Sequence, residues 1–156
     1  SNGTFNISNE KDKFKSKEKI ESTYLTQNND ILMRLREPNI AIHINEEQIG
    51  MLIPSIVTII RVKSVEVNSK FLTSYLNSKI VKRSLESSLK GTTISMIKTK
   101  DLEDLEIKLP TLEEQEKIVS FLDLANHEIG LLEELKDKKE KYYEEIFTKV
   151  LNGENR

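Results

Sequence analysis

The chain has no cysteine and no tryptophan, and only two histidines, three prolines and five glycines in 156 residues. Without cysteine there is no disulfide framework and no thiolate metal site. The two histidines, His43 and His127, lie far apart in sequence and make no metal-ligand spacing. No Gly-rich phosphate loop is present, and no strand-turn-helix pattern carries a nucleophilic serine. No apolar run approaches the roughly 18 residues of a membrane span, and no secretory signal pattern is visible, so a cytoplasmic protein without membrane contact is expected. Glu106-Ile107-Lys108 has the acidic-x-Lys form found in nucleases, but Asp101 is too close upstream to be an obvious metal partner. No motif for S-adenosylmethionine occurs. These absences point to a chain that performs no chemistry itself: no catalytic residue, no metal and no cofactor of its own.

What the sequence does have is charge, unevenly placed. The net charge is −2, yet residues 112–150 hold six Lys/Arg against eleven Asp/Glu, while residues 1–111 hold 17 against 14. The body is mildly basic and the last third acidic. An acidic segment is a poor match for phosphates, so any anionic partner belongs to the body. The first 20 residues are polar, with Lys11, Lys13, Lys15, Lys17 and Lys19 alternating. That pattern suits either a mobile arm or an edge strand with its lysines outward.

From Tyr24 the pattern turns to β. Asn28-Asn29-Asp30 predicts a turn into a strand over Ile31–Arg36. Glu37-Pro38-Asn39 predicts a second turn, into Ile40–Ile44. Met51–Ile53 and Ile56–Val62 complete the β region, with Pro54 breaking between them. A helix follows, capped by Asn68 or Ser69, with Phe71, Leu72, Tyr75 and Leu76 on one face. Asn77-Ser78 restarts a second helix with Ile80, Val81, Leu85 and Leu89 apolar and Lys79, Lys82, Arg83 and Lys90 polar, ended by Gly91. After a loop at 91–95, the Leu105/Ile107/Leu109 alternation predicts a half-buried strand.

The segment from Leu109 to Gly153 carries the most information. Thr111 and Glu114 form a capping box, and Glu113, Glu114 and Glu116 complement the helix dipole. Gly153 supplies a left-handed stop. Between them lie roughly 40 residues, about 60 Å of helix. Ile118, Leu122, Ala125, Ile129 and Leu132 recur by four and three. After a polar interruption at Lys136 and Lys139 the register resumes at Tyr143, Ile146 and Val150. This is the seam of a coiled coil. Phe121, Leu131, Leu135, Tyr142 and Phe147 widen it. The competing reading is a surface helix folded back on its own domain, which is too short to cover such a length.

Four words, in order, resemble the specificity subunit of type I restriction-modification systems. Asn29-Asp30-Ile31-Leu32 is similar to that family's G-D-I-L strand opening, with Asn in place of Gly. Phe71-Leu72-Thr73-Ser74-Tyr75-Leu76-Asn77-Ser78 is similar to its F-L-x-x-Y-L-x-S helix. Gly91-Thr92-Thr93-Ile94-Ser95-Met96-Ile97-Lys98-Thr99-Lys100-Asp101-Leu102 resembles its G-T-x-I-x-x-I-K-x-x-D-L loop. Leu109-Pro110 and Leu112-Glu113-Glu114-Gln115-Glu116-Lys117-Ile118 resemble its L-P-x-L-E-E-Q-x-x-I helix start. The likeness spans roughly residues 24–153.

The resemblance implies an α+β fold. A small mixed, β-rich DNA target recognition domain with short helices would occupy 1–110, shortened at its N-terminal side. One long projecting coiled-coil helix for pairing and spacing would occupy 111–153. It also implies a sequence reader of double-stranded DNA whose partners are a methyltransferase (modification) subunit and, indirectly, a restriction subunit. S-adenosylmethionine, ATP and Mg would belong to those partners. A complete member has two recognition domains and two helical regions, where this chain has one of each. It would therefore be a fragment, a silent cassette product or a half-subunit.

A half-subunit predicts a homodimer through the long helix, with antiparallel pairing setting two basic bodies at opposite ends of a spacer about 60 Å long. The interface residues would be Ile118, Leu122, Ile129, Leu132, Leu135, Tyr143 and Ile146. DNA contacts are expected from Arg34 and Arg36, from Lys82 and Arg83, and from Lys90, Thr92, Thr93, Ser95, Lys98 and Lys100. The alternative is a coiled-coil interaction or assembly module that binds no DNA. A fragment of a methyltransferase-related fusion is a third reading.

Overall fold

The computed structural model describes residues 21–89 and 96–153. The expected arm or edge strand before residue 21 lies outside them, as do the Gly91 helix stop and the loop at 91–95. The chain divides into two units, Ser1–Glu116 and Lys117–Arg156.

The first unit is built on a three-stranded antiparallel sheet of order β2-β1-β3, with β1 at Ile31–Arg34, β2 at Ala41–His43 and β3 at Val57–Ile60. Ile31 faces His43 on one side and Ile60 on the other; Met33 faces Ala41 and Thr58. The Asn28–Asp30 turn forms as expected, and Asn29 adopts φ 65°. That left-handed conformation suits Gly and is tolerated by Asn, which explains why Asn29 can stand where the resembling word has Gly.

Asp30 fixes the start of β1. It is buried, its carboxylate accepts from Arg61 Nε at 2.9 Å and Arg61 Nη2 at 2.8 Å, and the Gln27 amide donates to it at 2.7 Å. Thr26, also buried, ties the preceding residues to the 48–51 loop: its hydroxyl donates to Gln48 O at 2.6 Å and accepts from the Met51 amide at 2.9 Å. Of the expected strand at Met51–Ile53 only Leu52 pairs, through an isolated bridge to Leu25.

Three short helices pack with the sheet: α1 at Ser69–Leu76, α2 at Lys79–Leu89 and α3 at Thr99–Glu103. Asn68 is the cap of α1, accepting from the amides of Lys70 at 2.9 Å and Phe71 at 3.1 Å. Leu72 and Leu76 of α1, Val81 and Leu85 of α2, Ile31 and Met33 of β1, Ala41 and Ile97 close one core. Ile80, expected on the apolar face of α2, is exposed instead. It lies 100° around the helix from Val81, which is the residue that packs into the core.

Asn77, at the C-terminus of α1, does a second job. Its amide donates to Ala41 O at 2.8 Å and its carbonyl accepts from Ala41 N at 2.9 Å. β2 is an edge strand, so this side chain completes a ladder position that has no neighbouring strand.

The strand expected at 105–109 does not form: these residues have no regular structure. Leu105 and Ile107 are half-buried against the core while Glu106 and Lys108 are exposed. The alternation reported one-sided burial, and no ladder partner accompanies it among the described residues.

α4 runs from Leu112 to Leu151, 40 residues, about 60 Å long. The capping box forms: Thr111 N donates to Glu114 Oε2 at 2.9 Å and the Glu114 amide to Thr111 Oγ1 at 3.4 Å. Gly153, with φ 70°, follows its end. Within the first unit, the first turn of α4 is held by Gln115, which is fully buried. Its carbonyl accepts from Asn68 N, and its amide donates to Glu66 O and Pro110 O, each at 2.9 Å. No described helix is long and apolar enough to cross a membrane.

Candidate nucleic-acid interface and pairing helix

β1 leaves the ladder at Leu35. Leu35 N still donates to Ile56 O at 2.8 Å, but Leu35 O accepts from Ile97 N, also at 2.8 Å. Arg36 then forms an antiparallel bridge with Met96. The segment that follows residues 91–95 is thereby fastened beside Arg36. Asn39 holds the opposite limb of the turn, donating to Arg34 O at 3.2 Å and Leu35 O at 3.0 Å.

A cavity of about 450 Å³ opens beside this turn. Glu37, Pro38 and Asn39 form one wall, Lys82 of α2 stands on the other, and Met33, Leu76 and Leu85 form its apolar floor. Of the expected contact groups, Lys82 lines this cavity, while Arg36, just before the turn, does not. Both are exposed.

Arg34, at the end of β1, is half-buried, and its Nε is enclosed without a hydrogen-bond partner among the described residues. Of the two arginines expected at a DNA contact, Arg36 is the more exposed. Arg83 is exposed on α2, and Lys98 and Lys100 are exposed at the start of α3. The Lys98 amide donates to Asp101 at 2.8 Å, which fixes that start. Neither Arg83 nor Lys100 lines the cavity. Lys90, Thr92, Thr93 and Ser95 lie outside the described residues.

Sequence reasoning missed Asn39 and the 37–39 wall. The signal was Pro38 flanked by Glu and Asn between two apolar runs, a turn with polar groups to present. It also missed His43 beside Ser69: His43 Nε2 lies 3.0 Å from Ser69 Oγ. Burial, and then the Lys70 charge, hold the His43 pKa below its ordinary value of 6.5.

In the second unit, Ile118, Ile129, Leu132, Leu135, Tyr143 and Ile146 are exposed, and Leu122 is half-buried. Phe121, Leu124, Leu131, Tyr142, Phe147 and Val150 are exposed as well. Single exposed apolar residues are ordinary, but a continuous row on one helix marks an interaction surface.

A small antiparallel sheet, short helices beside it and a long heptad helix define an α+β fold. A model of the type I restriction modification DNA specificity domain matches residues 2–141, and the chain belongs to that family. The match begins well before Asn29, where the first resembling word begins. A crystal structure of the HsdS subunit from Thermoanaerobacter tengcongensis has the same fold, with a TM-score of 0.64 at 19% identity. The likeness covers 76% of this chain and 32% of that one, so this chain spans about a third of that subunit's length.

Proposed function

We propose that this chain is a DNA-reading half of a type I specificity subunit. It directs a methyltransferase, and through it a restriction subunit, to a bipartite site, and it catalyses nothing itself. S-adenosylmethionine, ATP and Mg belong to those partner subunits. The observation that carries the reading is the exposed basic groups of the first unit, with Arg36 bridged to Met96 just before the 37–39 turn and Lys82 on the cavity beside that turn. Guanidinium and ammonium groups on exposed rims neutralise phosphates and position a duplex. The polar wall offers acceptors for base edges, the Glu37 carboxylate and the Asn39 side-chain carbonyl, since carboxylates accept from cytosine and the Asn39 amide is already held by Arg34 O and Leu35 O.

Two chains pair through α4, and two identical readers predict an interrupted palindrome. The experiment is a gel shift with the methyltransferase present, across a salt series. Affinity should fall with salt, and Lys82→Gln with Arg83→Gln should weaken binding on all sequences alike. Unchanged affinity in that double variant removes the α2 patch from the interface. No binding at low salt, alone or with the methyltransferase, favours a pure assembly module.

A further inference from the structure

The turn between β1 and β2 presents side-chain acceptors and no free side-chain donor. Three of its residues, Glu37, Pro38 and Asn39, form one wall of the cavity of about 450 Å³. Glu37 is exposed and makes no hydrogen bond or ion pair among the described residues. A carboxylate accepts only. Pro38 is exposed too, and it has no amide hydrogen. Asn39 has two amide hydrogens, and both are engaged inside the turn, by Arg34 O and Leu35 O. Its carbonyl is what it has left to offer. The order along the wall is therefore acceptor, apolar ring, acceptor.

The wall is held from below. Arg34 N donates to Ile40 O at 3.0 Å across the base of the turn. Asn39 adds its two bonds, at 3.2 and 3.0 Å. Ala41, just beyond, is tied to Asn77 through both of its backbone groups. The acceptors are thus set before a ligand arrives, and little freedom remains to be lost on binding.

One base matches such a wall. In the major groove guanine shows two acceptors, thymine an acceptor beside a methyl group, and adenine an acceptor beside its amino donor. Cytosine alone shows a donor with no acceptor. An acceptor-only wall is repelled by each of the first three edges. Cytosine also carries an apolar C5–H beside its N4 amine, which suits the Pro38 ring. A carboxylate near phosphates weakens every contact that ignores sequence. Glu37 is favourable on a DNA-facing surface only where it meets a base donor.

Resting on the DNA-reading function proposed above, we propose that the 37–39 turn reads the exocyclic amine of one cytosine in the half-site, and that methylation of that amine shuts the reader out. Glu37 is the residue that determines the choice of base, and Asn39 is its second acceptor. An N4-methyl group that preserves base pairing stands on the major-groove side, in place of the hydrogen that the turn accepts. A C5-methyl group stands beside the amine, adds no acceptor and meets Pro38. The reader therefore rejects N4-methylcytosine and accepts 5-methylcytosine.

The test is a selection from random duplexes by the full chain together with the methyltransferase, followed by binding to synthetic duplexes of the selected site. The parent should select cytosine at one position of each half-site. At that position alone, Glu37→Gln should exchange cytosine for adenine, since Gln both gives and accepts on adenine N6 and N7, and Glu37→Ala should lose the preference. Neither variant should bind random duplexes more weakly, because each removes a negative charge; weaker binding of both on every sequence assigns Glu37 a structural role and overturns the proposal. In the parent, N4-methylcytosine or thymine at that position should lower affinity by about tenfold or more, and 5-methylcytosine by less than about twofold. Unchanged selection by both Glu37 variants, or equal binding of cytosine and N4-methylcytosine, overturns the cytosine reading while DNA recognition stands. Loss of binding on 5-methylcytosine overturns the place given to Pro38. A parent that selects no sequence overturns the function proposed above as well.

Discussion

Gln115 has no exposed surface and uses both ends of its amide on backbone groups from two other segments. Replacing it by Ala strips partners from the Asn68 amide and from the Glu66 and Pro110 carbonyls. Leaving such groups unsatisfied costs about 2–3 kcal/mol, read as a lower denaturant midpoint at unchanged slope. A midpoint within error of the parent would show that water replaces the amide. The Asp30–Arg61 pair makes an asymmetric prediction, because Asp30 is almost fully buried while Arg61 keeps 28% of its side-chain surface. Arg61→Leu strands a buried carboxylate and should cost about 3 kcal/mol, whereas Asp30→Asn keeps a hydrogen-bonding shape and leaves a guanidinium that reaches water, so it should cost less. The Asp30 contact also raises the Arg61 pKa through its hydrogen bond, so the guanidinium stays charged throughout. His43 adds a pH dependence. Its folded pKa lies below 6.5 because burial, and then Lys70, disfavour the imidazolium. The unfolded chain therefore binds more protons between the two values, so stability is full above the unfolded pKa and lost as pH falls through the folded one. His43→Gln should flatten that part of the stability–pH curve; an unchanged curve would assign the slope to other groups.

Elements show where sequence patterns carry physical information. The capping box of α4 was legible because it is local: Thr111 and Glu114 satisfy one another within one turn. Its length was legible because a heptad row needs no tertiary information. The Asn29 turn was legible for a similar reason, as few residues adopt φ 65°. The strand expected at Leu105–Leu109 was misread because alternation records which side faces a core, and a ladder needs a neighbour that sequence does not name. Ile80 was misplaced on a short helix whose described inward residues are Val81 and Leu85. Asn77 was invisible as an edge seal, since its two bonds to Ala41 cross 36 residues. Its role has a consequence: Asn77→Ala should cost about 1–3 kcal/mol. It should also raise hydrogen exchange at the Ala41 amide while leaving the β1–β3 pairs protected. Uniform loss of protection across the sheet would mean that Asn77 supports the core and not that edge.

At the scale of the molecule, the charge division assigns the proposed DNA contact to the body. The acidic α4 repels phosphates, and the body carries the basic groups. Of the expected contacts, Arg36 precedes the 37–39 turn and Lys82 of α2 lines the cavity beside that turn, a placement that no local pattern could supply. If both neutralise phosphates, each single Gln variant should lower the slope of log affinity against log salt by about 1, and the pair by about 2. Asn39 predicts a different signature, because a side chain that reads a base edge changes preference more than affinity. Asn39→Ala should relax selection at one base pair in each half-site by about 1–3 kcal/mol, with the salt slope kept. The two halves should change together, since identical readers on one two-fold axis see the same base twice. Methylation mapped in cells carrying this chain and its methyltransferase would test both points, and an asymmetric bipartite target would show that a second, different reader completes the site.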